Sequence, residues 1–273
     1  PGALYPTLFA GKKFNCTTGF DIEDYHPGEG TNKNEQRLTK QLIKKMLPHI
    51  RYVSFAAPLI KAKTIEDIGK GGKDWIVILN HFSATDFALS QKENTGPLKL
   101  VWFSQNVNYK RGLEQIIPAL SKYKDNIELT LIGNRKEEFY KKYIEGNEFI
   151  KYIPPMDQKS LHQKMSEYDI GLAIEPGKDK NNFIALANKL ITYFQSGLYI
   201  LASDTPAHID FFKAHPENGM AVLLEPESMP QVFDNLINDV LQIRGNKLAR
   251  FNDAQNYCWE NESQKLLQTW KEF

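Results

Sequence analysis

The chain has 273 residues, 41% of them hydrophobic, with 34 lysines and arginines against 33 aspartates and glutamates. That length allows one large or two modest domains, and the balanced charge excludes a general attraction to nucleic acid or anionic lipid. No apolar run approaches the roughly 20 residues that span a bilayer. The two cysteines, Cys16 and Cys258, lie at opposite ends of the chain. This excludes a disulfide framework or a cysteine metal cluster.

The first 95 residues are the less regular part of the sequence. Apolar spacing over 38–47 predicts an amphipathic helix, and 51–55 and 75–79 have strand character. The polar stretch 91–97, with its Gly-Pro, predicts a linker and a domain boundary. Residues 1–95 hold too few strands for an independent α/β domain, so we expect a partial, truncated N-terminal domain.

From residue 98 onward, short apolar runs rich in β-formers alternate with amphipathic helical patterns. The runs that predict strands are 98–103, 127–132, 149–153, 169–174, 198–202 and 220–224. Helical spacing follows at 113–120 and 233–241. This alternation predicts an α/β fold with a Rossmann-like parallel sheet, whose ligands bind at the carboxyl ends of the strands.

Two cations stand where the first of these strands gives way to a helix. Lys110 and Arg111 precede Gly112 and the helical pattern. A helix N-terminus carries a partial positive charge, so added cations are unfavourable there unless an anion neutralises them. The pattern therefore predicts a diphosphate site, and the alternative is a pair of solvated surface cations.

A second polar loop follows the predicted strand 169–174. Glu175 ends that strand, and Asn188 and Lys189 open the helix that comes after the loop. Lys189 is long enough to reach a phosphate. The alternatives are a surface position for Asn188 and a lysine whose stem covers apolar surface while its amine stays in water.

Several stretches in this order resemble the C-terminal, nucleotide-sugar-binding domain of the retaining GT-B glycosyltransferases of family four. They are WFSQNVNYKRGLE (102–114), LTLIGN (129–134), IKYIPPM (150–156), SLHQKMSEYDIGLAIEP (160–176), NKLITYFQSGLYILASD (188–204) and YCWENESQKLLQTW (257–270). In the N-terminal piece, FDIEDYHPGEG (20–30) and ILNHFSATDF (78–87) resemble the later half of the family's acceptor domain.

The resemblance implies a GT-B-like architecture, with a partial acceptor-side domain at 1–95 and a nucleotide-sugar-binding domain at 98–273. A last helix at 258–272 is expected to cross back to the N-terminal domain. It also implies a nucleotide-diphosphate sugar as donor, transfer with retention, and no metal or other cofactor. The first half of the acceptor domain does not precede Pro1, so we expect the chain to be a fragment of a longer enzyme.

The family's site residues carry over unevenly. Its basic residue before the glycine maps onto Lys110 or Arg111, with Arg111 favoured by adjacency, and its upstream arginine is Gln105 here. Its second glutamate falls at Thr192.

Glu175 takes the place of the first glutamate, at a spacing longer than the family's. Catalytic roles are therefore expected for Glu175 and Arg111. The donor and its diphosphate are expected to contact Gln105, Lys110, Arg111, Asn188, Lys189 and Thr192. The base is expected beside the backbone of Ile153, Pro154 and Pro155.

Other patterns point to weaker candidates. An acidic cluster with one histidine allows a hard-metal site, and a solvated or acceptor-facing loop is the alternative. Its members are Asp21, Glu23, Asp24 and His26. The histidines lack the spacing of a zinc site, and serine-hydrolase, P-loop and dinucleotide motifs are absent.

The expected partners are a nucleotide sugar and a glycan or lipid-linked acceptor, without nucleic acid, in the cytoplasm. The basic side of the 38–47 helix allows peripheral contact with the inner face of the membrane, against the alternative of a solvated helix face. That side carries Arg37, Lys40, Lys44 and Lys45. The alternative function is a non-catalytic fragment or subunit that binds sugar nucleotides.

Overall fold

The computed structural model describes residues 1–90, 94–177 and 179–273. Its strands are β1 (Gly19–Ile22), β2 (Tyr52–Phe55), β3 (Trp75–Val77), β4 (Leu98–Val107), β5 (Ile127–Arg135), β6 (Ile150–Ile153), β7 (Ile170–Ala173), β8 (Tyr199–Ser203) and β9 (Gly219–Val222). Its α-helices are α1 (Leu4–Phe14), α2 (Lys33–Met46), α3 (Pro58–Ile68), α4 (Leu113–Leu120), α5 (Glu137–Tyr143), α6 (Gln158–Met165), α7 (Lys180–Ile184), α8 (Asn188–Gln195), α9 (Pro206–Ala214), α10 (Met229–Asn238), α11 (Val240–Gly245), α12 (Lys247–Ala254) and α13 (Trp259–Trp270).

The chain forms two compact units and passes between them at four points. The first unit consists of Pro1–Asn80, Gly177–Leu186 and Trp259–Phe273, and the second of His81–Pro176 and Ala187–Cys258. The division after β3 therefore comes earlier than the boundary expected near 95. The segment 177–186, which the sequence placed in the later domain, belongs to the first unit.

The predicted linker at 91–97 falls partly outside the described residues, since 91–93 are not described. The Asn94 side chain donates a hydrogen bond of 2.8 Å to the carboxylate of Asp169. This part of the stretch is therefore tied to the amino end of β7 within the second unit.

The first unit is built on a three-stranded parallel sheet in the order β1-β2-β3. Its apolar core lies between the sheet and its helices and includes Leu4, Ile22, Val53, Phe55 and Ile60, each at most 3% exposed. The last helix, α13, packs in this unit. There the backbone N–H of Leu79, just after β3, donates to the Glu262 carboxylate at 3.2 Å.

The second unit is built on a six-stranded parallel sheet in the order β6-β5-β4-β7-β8-β9. All four residues of β7 are buried, and α8 is buried over Lys189 to Gln195. Strands buried on both faces explain the continuous apolar runs of this half of the sequence. The predicted α/β fold with a Rossmann-like parallel sheet is confirmed.

Strand β4 differs from its prediction because it continues to Val107, where the sequence indicated a polar loop. The pairing with β5 shifts register between Phe103 and Asn106. At Gly133 of β5, whose φ is +144°, an added Cβ would lie 2.0 Å from the Ser104 carbonyl oxygen. The lack of a side chain at Gly133 thus allows the bulged strand to approach and keep pairing.

The helical pattern predicted over 233–241 also differs from the structure. Helix α10 ends at Asn238, and α11 begins at Val240. Asp239 between them has φ −89° and ψ 8°, outside helical geometry. Val240 packs against the core that contains Phe233 and Leu236, but Leu241 is exposed, so the apolar pattern reflects core packing only as far as Val240.

Candidate functional site

The strand order defines a crevice at the carboxyl end of the second sheet. Strands β4 and β7 are neighbours, paired at Leu100 with Ile170 and Val101 with Gly171. The chain continues from β4 to β5 on one side and from β7 to β8 on the other. Right-handed crossovers place these two connections on opposite faces, so the loops after β4 and β7 separate at this point. Open α/β sheets bind ligands there.

The loop after β4 lies directly against the end of β7. Gly112, with φ +85°, is the N-cap of α4, and an added Cβ would lie 3.2 Å from the Ile174 side chain. Lys110 also adopts a left-handed conformation, with φ +63°. Such a conformation is costly for a residue with a side chain and is a feature of functional sites.

Both predicted cations of this loop lack an ion-pair partner in the part of the chain that the structure describes. The Lys110 side chain is exposed, and Arg111 is half-buried. They precede α4, whose N-cap Gly112 has no side chain to offer the first amides. The positive end of the helix and two uncompensated cations thus coincide at the crevice.

One acid belongs to the same loop. The Glu114 carboxylate, in the first turn of α4, accepts a hydrogen bond from the backbone N–H of Lys110. Its other oxygen, Oε2, is buried without a hydrogen-bond partner among the described residues. Glu114 therefore stabilises the turn while it brings a negative charge close to the predicted anion site.

The loop after β7 is closed at its base by an ion pair between two predicted site residues. Lys189 Nζ lies 2.8 Å from Glu175 Oε1, with the two side chains 10% and 19% exposed. The same ammonium lies 5.1 Å from the centre of the buried Trp102 ring. The backbone N–H of Glu175 donates to Ser203 Oγ at 3.0 Å. The charge of Lys189 is thus compensated within the protein.

Two further predicted contacts lie on α8. Asn188 is exposed at the first residue of the helix. Thr192 is 1% exposed, and its hydroxyl donates to the Asn188 carbonyl at 3.0 Å. This arrangement turns the Thr192 hydroxyl into its own helix, away from a ligand.

Gln105 lies near the carboxyl end of β4, and the predicted base-side residues lie at and after the end of β6. Gln105 is exposed on the bulge of β4, and its carbonyl accepts from Asn134 Nδ2 at 2.9 Å. The half-buried Ile153 ends β6, and Pro154 and Pro155 follow it exposed. Since β6 is the second strand from β4, these residues lie about 10 Å from the β4 end of the crevice.

The sequence did not single out His208 for this site. It lies in the first turn of α9, 1% exposed, and its Nδ1 is 2.9 Å from the Ser203 carbonyl oxygen. Burial lowers the pKa of His208, with the charge of Glu175 opposing this shift and that of Lys189 adding to it. The Thr205-Pro206 pair after β8 could have predicted this position. It marks the start of a helix directly after a strand, so the residues of the first helical turn lie beside the strand ends.

Three members of the acidic cluster have partners within the first unit. Asp21 accepts from Ser54 Oγ at 2.6 Å, Asp24 accepts from Asn181 Nδ2 at 2.7 Å, and His26 Nδ1 lies 2.8 Å from a Glu29 oxygen. Across 1–90, 94–177 and 179–273, no group of three or more metal-ligating side chains assembles.

No helix of the described residues combines the length and the apolar character that crossing a bilayer requires. Of the basic side chains on the exposed side of α2, Lys40 pairs with Asp67 at 2.7 Å.

Comparison with solved structures identifies the fold. No protein-family model matches the sequence, and no curated protein sequence matches it. HepE from Anabaena, solved with UDP, aligns over 100% of this chain and 77% of its own, at 16% identity and a TM-score of 0.77. A glycosyltransferase from Rickettsia africae aligns over 99% of this chain and 80% of its own, at 15% identity and a TM-score of 0.72.

A mutant of TarM from S. aureus, solved with fondaparinux, alpha-GlcNAc-glycerol and UDP, shows the same likeness. It aligns over 98% of this chain at 14% identity and a TM-score of 0.71. This chain spans 53% of that protein, about half its length. The fold of the present chain is therefore that of the GT-B glycosyltransferases.

Proposed function

We propose that this chain is part of a glycosyltransferase that transfers a sugar from a nucleotide-diphosphate donor to an acceptor hydroxyl. One observation supports it above the others: Lys110 and Arg111 lie without ion-pair partners, within the described residues, at the start of α4. They do so at the ligand-binding crevice of a fold whose solved neighbours HepE and TarM contain UDP.

In this proposal the diphosphate lies over the first turn of α4. Arg111 makes the direct ionic contact, and Lys110 adds charge from the exposed side. Charge grows on the diphosphate as the sugar leaves, so fixed positive groups there stabilise the transition state more than the bound donor. One such donor group contributes about 3 kcal/mol in measured enzymes.

We further propose the retaining chemistry of GT-B family four, which the sequence resembles. The bond between the anomeric carbon and the diphosphate oxygen breaks, and the acceptor oxygen bonds to the same face of that carbon. The acceptor proton passes to the departing diphosphate, so no nucleophile of the protein is required. Glu175, with one oxygen held by Lys189, orients a sugar hydroxyl with the other.

The base is proposed to lie beside the backbone of Ile153, Pro154 and Pro155, and the acceptor to be a glycan or a lipid-linked sugar. No metal or other cofactor forms part of the proposal.

A non-catalytic binder of sugar nucleotides is the second candidate. Two observations favour it: Lys189 is already neutralised by Glu175, and Thr192 is turned into its helix. Both reduce the polar groups available to a donor compared with the resembled enzymes. Gln105, neutral where the family has an arginine, reduces them further.

Calorimetric titration with UDP tests the nucleotide site. We expect Arg111→Ala to weaken UDP binding at least about tenfold, because a lost charged contact costs about 1.5–3 kcal/mol. Arg37→Ala, which removes an exposed arginine of α2, is the matched control and should leave the affinity unchanged. Equal affinities of the two variants would refute the diphosphate assignment.

Turnover separates the enzyme from the binder. UDP release from UDP-glucose is measured with and without a panel of glycan acceptors, and NMR of the product gives its anomeric configuration. Transfer with retention supports the enzyme. Tight UDP binding without transfer, in this chain and in any longer form of it, favours the binder.

A further inference from the structure

At the carboxyl edge of the second sheet, β4 and β5 continue beyond the end of β6. The pairing of β5 with β6 ends at Ile132 and Ile153. From there β5 runs three residues further, to Arg135, which pairs with Val107 at the end of β4. A strand advances about 3.3 Å per residue, so β4 and β5 project about 10 Å past β6 and form a step beside its end.

The Arg135 side chain contacts two tyrosine rings beside this step. Its guanidinium carbon lies 4.2 Å from the centre of the Tyr140 ring on α5 and 5.7 Å from that of the Tyr152 ring on β6. The two rings meet edge to face, with their centres 5.7 Å apart. The Tyr152 hydroxyl donates to the Gly133 carbonyl at 2.9 Å. Groups from α5 and β6 therefore hold the guanidinium near the end of β6.

Part of the Arg135 side chain stays accessible in spite of these contacts. It is 43% exposed, and its Nε lies 3.5 Å from a carboxylate oxygen of Glu137. A guanidinium is flat and stacks on planar groups through its faces. With the Tyr140 ring over one face, the opposite face is available to a second planar group.

The chain that leaves β6 beside Tyr152 offers few hydrogen-bond donors. Ile153 is followed by the exposed Pro154 and Pro155, and a proline has no backbone N–H. This is the stretch beside which the base is proposed to lie. A base in this place gains little from donated backbone hydrogen bonds, so its affinity depends on a planar neighbour. Stacking supplies affinity to any base, because every base has a π face.

We propose that Arg135 is the stacking platform for the base of the nucleotide donor, with the base against the guanidinium face opposite Tyr140. This inference rests on the proposed function. The end of β6 lies two strand spacings, about 10 Å, from β4, so the base and the diphosphate occupy different strand ends of one edge. Glu137 already offsets the charge of Arg135, so the contribution of Arg135 comes from its flat face.

Two substitutions separate the flat face from the charge. Arg135→Ala removes both, and Arg135→Lys keeps a positive charge but replaces the planar guanidinium with a compact ammonium. Lys136→Ala is the matched control, because it removes an exposed cation from the next residue of the chain.

The affinity of each full chain is measured by calorimetry for UDP, and by competition against UDP for inorganic pyrophosphate, which has no base. For R135A we expect UDP affinity to fall about tenfold, which corresponds to about 1.4 kcal/mol. R135K should lose at least fivefold, because its ammonium cannot stack as a plane. Competition by pyrophosphate should stay within about threefold of the native chain in both variants, and K136A should stay within about threefold for UDP.

The outcomes separate this inference from the function on which it rests. A native chain without affinity for UDP would remove the proposed function and the role of Arg135 together. A native chain that binds UDP, beside an R135A variant of equal affinity, would overturn the role of Arg135 alone. Equal losses of UDP and pyrophosphate in R135A, or native UDP affinity in R135K, would assign the effect to charge and would also overturn the platform.

Discussion

The two loops that flank the crevice of the second sheet hold their cations in opposite ways. After β4, Lys110 and Arg111 lie without ion-pair partners in the described part of the chain, next to a helix N-terminus. After β7, Lys189 is 9% exposed and bound to Glu175. Both loops supply basic residues to one rim, but the charges of Lys110 and Arg111 remain available to an incoming anion, whereas that of Lys189 is neutralised by Glu175.

A cation near the strand ends can therefore bind a ligand only when the fold leaves its charge without an opposite charge in the protein. Lys189 serves the protein itself, since its removal would leave a carboxylate with little water around it. Lys110 is held in a left-handed conformation that costs stability. We therefore expect removal of a cation to have opposite effects on stability in the two loops.

The largest effect is expected at the loop after β7. Lys189→Met should lower the free energy of unfolding by about 3 kcal/mol, because it leaves the Glu175 carboxylate without its ion-pair partner in a mostly buried site. Urea unfolding followed by tryptophan fluorescence measures this. The control is K189M/E175L, in which two apolar side chains replace the pair and should recover most of the loss. If K189M were as stable as K189M/E175L, the unpaired Glu175 carboxylate would not be the cause of the lost stability.

A smaller effect depends on pH. Burial lowers the pKa of His162, His208 and His215 from the ordinary value of 6.5. These rings bind protons less readily in the folded chain than in the unfolded chain, so the free energy of unfolding falls as the pH drops below 6.5. The loss is at most about 1.4 kcal/mol per pH unit for each histidine.

His208→Gln tests how much of this pH dependence comes from His208, which lies beside the loop after β7. Urea unfolding between pH 7 and pH 5 should show a shallower loss of stability in H208Q than in the native chain. Gln242→Ala, which replaces an exposed side chain of α11 that carries no ionisable group, is the control and should keep the native slope. Identical slopes in H208Q and the native chain would show that His208 is protonated equally in both states.

The smallest effect is expected at the loop after β4. Lys110→Gly should raise the free energy of unfolding by about 0.5–1 kcal/mol, because glycine adopts the left-handed conformation without a Cβ clash. The same variant should weaken UDP binding about threefold, as expected for an exposed charge. Thermal unfolding and calorimetry on one preparation measure both.

Lys110→Ala separates the effect of the lost charge from the effect of the backbone conformation at this position. It removes the ammonium and keeps the Cβ, so we expect K110A to lose UDP affinity as K110G does, without the gain in stability. If K110G were less stable than K110A, the backbone conformation of Lys110 would not be a source of strain.

Local sequence patterns were sufficient to predict the architecture of the second unit. Runs such as 98–103 and 169–174 are apolar because their strands are buried on both faces, and burial depends mainly on each residue's own hydrophobicity. The same patterns placed Lys110, Arg111 and Glu175 near the carboxyl ends of strands. The extension of β4 to Val107 was not predicted, because the bulge depends on Gly133 in the neighbouring strand β5.

The tertiary structure alone decided which groups meet. Glu175 and Lys189 are 14 residues apart and Asp24 and Asn181 are 157 apart, and both pairs lie within hydrogen-bonding distance. Hydrophobic periodicity records which side of an element is buried, but it carries no information on which distant element approaches that side. The sequence thus determined where the charges of this protein lie along its strands and helices. Only the crossovers of the folded chain decided which charges are neutralised and which remain for a ligand.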